Sequence, residues 1–343
     1  MKTNLRLSKK MNFLNNKTIL ITGGTGSFGK NFVRKILLSK IKYKKIIIFS
    51  RDEFKQYTFQ SEIDPKYLKK IRFFLGDIRD KERLKSALEG VDILIHAAAL
   101  KQVPTAEYNP IEFIKTNIIG AQNIIETSIE KKVSNVIALS TDKASSPINL
   151  YGATKLCSDK LFLAANNIKG NRKIKFSVLR YGNVMMSRGS VIPLFLKEKK
   201  IIPITNKNMT RFSITLDESI NFCIEALRIN IGGEIFVPKL RAYKILDLAK
   251  AINNKAKVKI VGVRQGEKIN EELISSYDAK HTYNSNKFYI IFSNTNYKNK
   301  IIKFKKVSKN FAYRSDMCKF YNINELRLKI RNEIKKDDSL LKT

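Results

Sequence analysis

Three cysteines and two histidines are all that this chain of 343 residues offers to thiol or soft-metal chemistry. Cys157, Cys223 and Cys318 stand far apart, with neither metal-site nor disulfide spacing, so no metal is expected and a reducing cytoplasm is indicated. Long apolar runs are missing too, none approaching the roughly 20 residues of a membrane span. Acidic residues are scarce, 30 against 66 lysines and arginines, and the net charge is +36. Such a charge invites a nucleic-acid reading. It is set aside because lysine far outnumbers arginine, is spread over the whole chain, and travels with excess Ile and Asn, which share its A/T-rich codons. Basic patches with interleaved aromatics are not evident, so no nucleic-acid partner is expected. A diffuse positive field still draws in a diphosphate ligand. Repeats and low-complexity segments are also lacking. Residues 1–16 are basic and polar without the apolar core of a signal peptide, and read as a flexible extension. The lysine-rich tail after Ile330 reads as frayed.

What is present begins at Lys17-Thr-Ile-Leu-Ile-Thr22, an apolar β-branched run that reads as a buried strand. Gly23-Gly24-Thr25-Gly26-Ser27-Phe28-Gly29 follows at once, and helical periodicity starts at Lys30. Strand, glycine turn and helix start form the context in which a pyrophosphate sits on backbone N–H groups. The spacing is Gly23, Gly26, Gly29, one step different from the commonest dehydrogenase fingerprint. A tight turn without a ligand is the alternative. A second run, Ile46-Ile-Ile-Phe49, ends in Ser50-Arg51. An acidic residue there would suit the ribose hydroxyl of NAD, whereas a guanidinium suits a 2′-phosphate. NADP is favoured, with Asp52, one residue on, as the feature that leaves NAD open. Asp77 and Ile78 end a third strand within reach of an adenine edge. Val91-Asp-Ile-Leu-Ile-His96 runs into Ala97-Ala98-Ala99, small residues that let a cofactor approach the backbone. His96 ends an apolar strand and reads as packed structure rather than as a base.

Ser140-Thr141-Asp142-Lys143, followed by Tyr151-Gly-Ala-Thr-Lys155, gathers a hydroxyl, a carboxylate, amines and a phenol. Tyr151 and Lys155, four residues apart, share a helix face, so the ammonium is expected to lower the phenol's pKa and make it a base near neutral pH. Asp142 and Lys143 add an acid/base pair that carbonyl reduction does not need. Further on come a helix at 156–166, the strand Lys175-Phe-Ser-Val-Leu-Arg-Tyr181, the turn Gly182-Asn183-Val184, and a loop of small and basic residues around Ser187-Arg188-Gly189-Ser190. Strands and helices alternate regularly to this point, which predicts an α/β, Rossmann-type doubly wound parallel sheet. The pattern then loosens through Met209-Thr-Arg-Phe212 and a helix at 216–228, and Gly233-Glu-Ile-Phe-Val-Pro238 reads as a return to the sheet. Arg264 and Glu267, in a loop after Val258-Lys-Ile-Val-Gly262, are spaced to grip a phosphate and a ribose; solvated charge is the alternative.

The span from Lys17 to about Ile291 resembles the extended short-chain dehydrogenase/reductase superfamily. Within it the chain is similar to the inverting UDP-N-acetylglucosamine 4,6-dehydratases of flagellin modification and pseudaminic acid synthesis. The runs that carry the likeness include Ile21-Thr-Gly-Gly-Thr-Gly-Ser-Phe-Gly-Lys30, Leu139-Ser-Thr-Asp-Lys-Ala144 and Pro147-Ile-Asn-Leu-Tyr-Gly-Ala-Thr-Lys155. The resemblance implies NADP on Gly23, Thr25, Gly26, Ser27, Phe28, Gly29, Ser50, Arg51, Asp77, Ile78, Ala97, Lys101, Ser140, Tyr151 and Lys155. It implies UDP-N-acetylglucosamine as the partner, held by Lys101, Asn183, Val191, Arg264 and Glu267. By the same resemblance Tyr151, Lys155 and Thr141 work at C4, Lys143 is the base at C5, and Asp142 the acid at C6. A NADP-binding Rossmann domain over 17–182 and about 214–252 is expected, with a smaller C-terminal UDP-sugar cap over 183–213 and about 253–343, assembled as a homo-oligomer, by resemblance a hexamer. Departures accompany the likeness. Met186 stands where the family has a glycine beside the cofactor, which predicts crowding of the nicotinamide or a φ below zero; Ser213 and Asn270 replace an aromatic and a histidine. Gln102 is shared with capsular-sugar dehydratase/epimerases, the nearest rival reading, although those relatives often lack the tyrosine. A non-catalytic NADP-binding protein is the rival of another class.

Overall fold

The computed structural model of the chain describes residues 10–187, 189–198, 200–292 and 304–340, so residues 1–9 of the expected extension and Arg188 lie outside it. Six strands carry the nucleotide-binding half: β1 (Thr18–Thr22), β2 (Lys45–Ser50), β3 (Ile71–Leu75), β4 (Ile93–His96), β5 (Asn135–Thr141) and β6 (Lys175–Tyr181). They pair in parallel in the order β3-β2-β1-β4-β5-β6, the doubly wound arrangement that the alternating elements predict. All five residues of β1 are buried, because a parallel sheet covered on both faces needs apolar side chains on both. Ile19 and Ile21 face one core and Leu20 the other. The first core takes Phe32, Val33 and Ile36 of α1 (Ser27–Leu37) and the second takes Ala121, Ile124 and Ile125 of α2 (Gly120–Glu130). Phe162 and Leu163 of α3 (Leu150–Ile168) join α2, and Ile220, Cys223 and Ile224 of α4 (Leu216–Ile229) join α1. Full burial of each such side chain contributes about 1.5–3 kcal/mol.

Beyond β6 the chain adds β7 (Ile201–Ile204), β8 (Thr210–Ser213), β9 (Glu234–Pro238), β10 (Arg241–Lys244), β11 (Lys257–Ile260), β12 (Glu272–Ile274), β13 (Thr282–Asn284) and β14 (Phe288–Phe292). β9 lies parallel to β6, then β14 and β13 continue the same sheet antiparallel. The residues 282–292 therefore extend the large sheet instead of belonging to the cap, since their apolar strand Phe-Tyr-Ile-Ile-Phe pairs between β9 and β13. Conversely, Tyr243, Ile245, Leu248 and Ala249 pack with Ile192, Phe195 and Ile202 in a separate cluster, which moves 241–252 out of the nucleotide-binding half. Small sheets β8·β10, β7·β11 and β12 with Tyr313–Arg314 build this second unit.

Two further expectations change. Met11 and Leu14 are fully buried in the first core, so 10–16 form a packed entry to β1 and not a loose extension. The tail beyond Ile330 continues a helix, Ile323–Leu340, anchored by buried Leu326 and Ile330. Periodic apolar residues spaced among many lysines hid both. No helix among the described residues is long and apolar enough to cross a membrane.

Candidate active site

The strand order reverses between β1 and β4, and a cavity of about 790 Å³ opens there, at the carboxyl ends of the strands. Gly23 turns out of β1 with φ +64°, and a Cβ on it would sit 2.9 Å from Ala98 N. A Cβ on Gly29 would sit 2.5 Å from Gly24 Cα, so only glycine lets α1 pack this close to the turn. Gly26 caps α1 with no side-chain hydrogen bond, which leaves the first N–H groups of the helix for an anion. Gly23, Thr25, Gly26, Ser27, Phe28 and Gly29 line the cavity, as do Ser50, Arg51, Asp77, Ile78 and Ala97. Arg51 Nη1 stands 3.5 Å from Asp77 Oδ2, and Lys55 of the helix that follows lines the cavity beside it. A cradle that a Cβ would fill, next to open amides and basic side chains, fits a dinucleotide cofactor.

Thr141, Lys143 and Tyr151 also line the cavity, with Ser140, Lys101, Asn183, Val191, Arg264 and Glu267. Asp142 and Lys155 do not; both are buried behind its wall. β5 delivers Ser140 and Thr141, a 3-10 turn (Asp142–Ala144) presents Lys143, and α3 brings Tyr151. Gly152 makes this junction possible, because a Cβ there would approach Lys143 O to 2.3 Å. Lys143 Nζ donates to Asp142 Oδ1 at 3.2 Å, Glu271 Oε1 at 3.0 Å and Asn183 Oδ1 at 3.5 Å. Thr141 Oγ1 donates to Asp142 Oδ1 at 2.9 Å, while Asp142 Oδ2 is buried without a partner.

The electrostatics follow from that burial. Loss of water, and then the charge of Glu271, push the Asp142 carboxyl above its ordinary range. Burial alone would drive Lys143 down, but Asp142 and Glu271 together outweigh it and push the ammonium up. Tyr151 departs from the expected direction: burial lifts its phenol to about 12, and Lys143 with the Thr141 hydroxyl only partly offsets this. Lys155 does not supply the expected offset: its Nζ donates to Leu139 O at 2.9 Å, and burial lowers its own pKa. His96 is a buried structural residue, as its place at the end of an apolar strand implies.

Three contributors escaped the sequence reading. Glu271 is buried and shares Lys143 with Asp142. Arg211 Nε lies 3.6 Å from Glu271 Oε1. Asn117, on a π-helical turn (Lys115–Ile119), holds the segment before Lys101: its side chain accepts from Leu100 N and donates to Leu100 O, both at 2.9 Å. Periodicity in a single sequence carries no signal for contacts made across 128 residues of chain, as between Lys143 and Glu271.

Above the cluster, the loop of Arg264 and Glu267 docks on the start of α3, where Asn149 Nδ2 donates to Gly266 O at 2.7 Å. Met186 meets neither expectation. Its φ is +59°, the conformation a glycine would take, and its side chain packs against the second unit's core rather than lining the cavity. Asn270 accepts from Thr210 Oγ1 at 2.8 Å, and Ser213 Oγ contacts Met185 Sδ at 3.1 Å.

A curated UDP-N-acetylglucosamine 4,6-dehydratase (inverting) of Campylobacter jejuni subsp. jejuni is 51% identical over 315 residues, covering 88% of this chain and 93% of that protein. A UDP-glucose 4-epimerase of Rickettsia bellii is 44% identical over 284 residues, covering 80% and 82%. The X-ray structure of Pen from Bacillus thuringiensis superposes with a TM-score of 0.86 at 38% identity, covering 94% of this chain and 98% of that one. The sequence model described as polysaccharide biosynthesis protein matches residues 19–293, and with these relatives it shows that the chain belongs to that family, within the extended short-chain dehydrogenase/reductases.

Proposed function

We propose that this protein is an inverting UDP-N-acetylglucosamine 4,6-dehydratase. It removes water across C5 and C6 of the sugar with inversion at C5, giving UDP-2-acetamido-2,6-dideoxy-β-L-arabino-hex-4-ulose, a first step toward pseudaminic acid. One observation carries the reading: Lys143, in the cavity that holds Tyr151, is flanked by two buried carboxylates, Asp142 and Glu271. Hydride transfer alone has no use for that set, whereas elimination needs an acid and a base. The 51% identity to a curated dehydratase of this kind supports it.

The glycine turn and Arg51 would hold NADP, which would supply the hydride acceptor for C4 and the hydride returned to C6. Tyr151, with Thr141 and Lys155, takes the proton of the C4 hydroxyl. The ketone at C4 acidifies the C5 hydrogen, which Lys143 removes. Asp142 supplies the proton on which the C6 hydroxyl leaves as water. Lys101 and Asn183 orient the sugar, Val191 packs against it, and Arg264 with Glu267 holds the nucleotide end. The unit built on β7, β8 and β10–β12 is the sugar-binding cap, and the enzyme works as a cytoplasmic homo-oligomer, a hexamer. A second reading has a specific support, the relative named a UDP-glucose 4-epimerase. Epimerisation at C4, however, leaves Asp142, Lys143 and Glu271 without work.

The experiment is turnover of UDP-N-acetylglucosamine by purified protein, with the product read by NMR. A 4-keto-6-deoxy sugar inverted at C5 is expected. Retained configuration at C5 rejects the inverting assignment, and an unchanged C6 hydroxyl rejects dehydration altogether.

A further inference from the structure

The acid/base pair inferred above starts from a difficulty. Lys143 Nζ has acceptors for all three of its protons, in Asp142, Glu271 and Asn183, so at rest it is an ammonium and not a base. To take the C5 hydrogen it must first shed a proton within the cluster. Two carboxylates are in contact with it, and they are not equivalent. Each has one buried oxygen without a partner, Asp142 Oδ2 and Glu271 Oε2, but Glu271 also faces Arg211 Nε at 3.6 Å, whereas among the described residues Asp142 forms an ion pair with Lys143 alone. Arg211 is itself fixed, donating to Thr210 O at 2.7 Å and Ile269 O at 3.0 Å.

Glu271 is held as firmly. Its backbone N–H donates to Ser315 Oγ at 2.9 Å and its carbonyl accepts from Ser315 N at 2.8 Å, which ties it to the C-terminal turn across the sheet of β12. The groups facing it are Asp142, Lys143, Arg211, Lys268 and Tyr243. Lys268 acts on both carboxylates, so the difference between them is Arg211, which stands against Glu271.

We infer that Glu271 is a positioning residue of the elimination: it fixes Lys143 Nζ at the cavity and decides that the proton Lys143 sheds passes to Asp142. The inference rests on the dehydratase reading. Proton transfer from Lys143 to Asp142 along the 3.2 Å contact gives a neutral amine and a neutral acid with no change in net charge. The amine then takes the C5 proton, the electrons of the C5–H bond form the C5–C6 double bond, and the C6–O bond breaks. The leaving hydroxide takes the proton of the Thr141 hydroxyl, which lines the cavity, Thr141 takes that of Asp142 Oδ1 at 2.9 Å, and water departs. Lys143 is again an ammonium and Asp142 a carboxylate, so the cluster's proton count is restored. Loss of the Glu271 charge leaves Asp142 as the sole carboxylate on Lys143, and Asp142 then stays ionised and passes no proton to the leaving group.

The test uses the cofactor-loaded enzyme, UDP-N-acetylglucosamine and D₂O, comparing wild type with Glu271→Gln and Glu271→Asp. Oxidation at C4 does not pass through Glu271, so in Glu271→Gln the absorbance of reduced nicotinamide should build up on adding the sugar nucleotide. Entry of deuterium at C5 should fall by roughly a hundredfold, the contribution of one well-placed proton transfer. KM should change little, and Glu271→Asp, which keeps the charge, should recover part of the rate. Equal slowing of nicotinamide reduction and C5 exchange, or no slowing of either, overturns the role of Glu271. Loss of cofactor binding in both variants overturns it as well, by making Glu271 a structural residue. Wild-type enzyme that neither reduces its cofactor nor yields a 4-keto sugar overturns the dehydratase reading itself, a result distinct from the other two.

Discussion

Thr22 Oγ1 lies 2.9 Å from His96 Nδ1 and joins the last residues of β1 and β4 where the strand order reverses. The same oxygen accepts from Ala97 N at 3.2 Å and Ala98 N at 3.3 Å. Its own hydrogen is therefore free for the imidazole, so Nδ1 accepts and the ring proton sits on Nε2. The Thr22 hydroxyl, oriented by the neutral ring, holds the backbone of Ala97 and Ala98, along which the cofactor is proposed to pass.

Burial, and then the charge of Lys155, push the His96 imidazole down to about 3. The unfolded chain binds this proton below about 6.5, whereas the folded chain excludes it. The contribution is thus fully present above the unfolded value and is lost as pH falls from about 6.5 toward the folded value. The expected slope is about 1.4 kcal/mol per pH unit for one proton. Denaturant unfolding of wild type and His96→Gln between about pH 7 and 4 checks it. The substitution should flatten the curve by one proton; parallel curves would show that His96 is protonated in the fold.

The legible part of this molecule is the part encoded by local period. β1, its glycine turn and α1 are contiguous, and their pattern specified strand, turn and helix in order. Thr141, Asp142, Lys143, Tyr151 and Lys155 sit within one short stretch, and apart from Asp142 and Lys155 they meet in the cavity. Glu271 and Arg211 were invisible because their burial comes from elements far apart in the chain. The same limit explains β14, whose antiparallel place beside β9 is a tertiary choice. It also explains Tyr151, whose raised pKa follows from the depth of its site and not from its spacing to Lys155.

Arg51 is half exposed at the end of β2, with Asp77 as its ion-pair partner at 3.5 Å. A guanidinium in that position offers a charge-assisted contact to a 2′-phosphate, worth about 1.5–3 kcal/mol. Arg51→Ala should therefore lower the NADP/NAD affinity ratio by roughly tenfold or more. Titration of both dinucleotides into the variant reads this directly. An unchanged ratio, or wild-type protein that prefers NAD, removes Arg51 from the cofactor's recognition.

Lys143→Ala leaves Asp142 and Glu271 as two buried carboxylates without their shared cation. Removing one partner of such a pair costs about 3–5 kcal/mol, so unfolding is measured first and activity on the folded, cofactor-loaded protein. In D₂O the wild type should place deuterium at C5 of the product. The variant should lose both deuterium entry and water loss while still binding the UDP-sugar. Deuterium entry at the wild-type rate would assign the C5 base to another group.

Met186 holds a left-handed backbone, φ +59°, with its thioether packed into the cap core. The conformation costs a residue with a Cβ about 1–2 kcal/mol, which glycine does not incur. Removing the side chain, on the other hand, gives up apolar contacts with the cluster of Ile192 and Phe195. The two effects oppose, so Met186→Gly should leave thermal stability nearly unchanged. Because the side chain points away from the cavity, kcat/KM should change by less than about tenfold, under roughly 1.4 kcal/mol of transition-state stabilisation. Steady-state kinetics with UDP-N-acetylglucosamine, paired with a melting curve, decide it. A much larger gain in activity on restoring glycine would mean that the methionine swings into the nicotinamide's space during turnover, and would favour a chain that has drifted toward binding NADP without efficient catalysis.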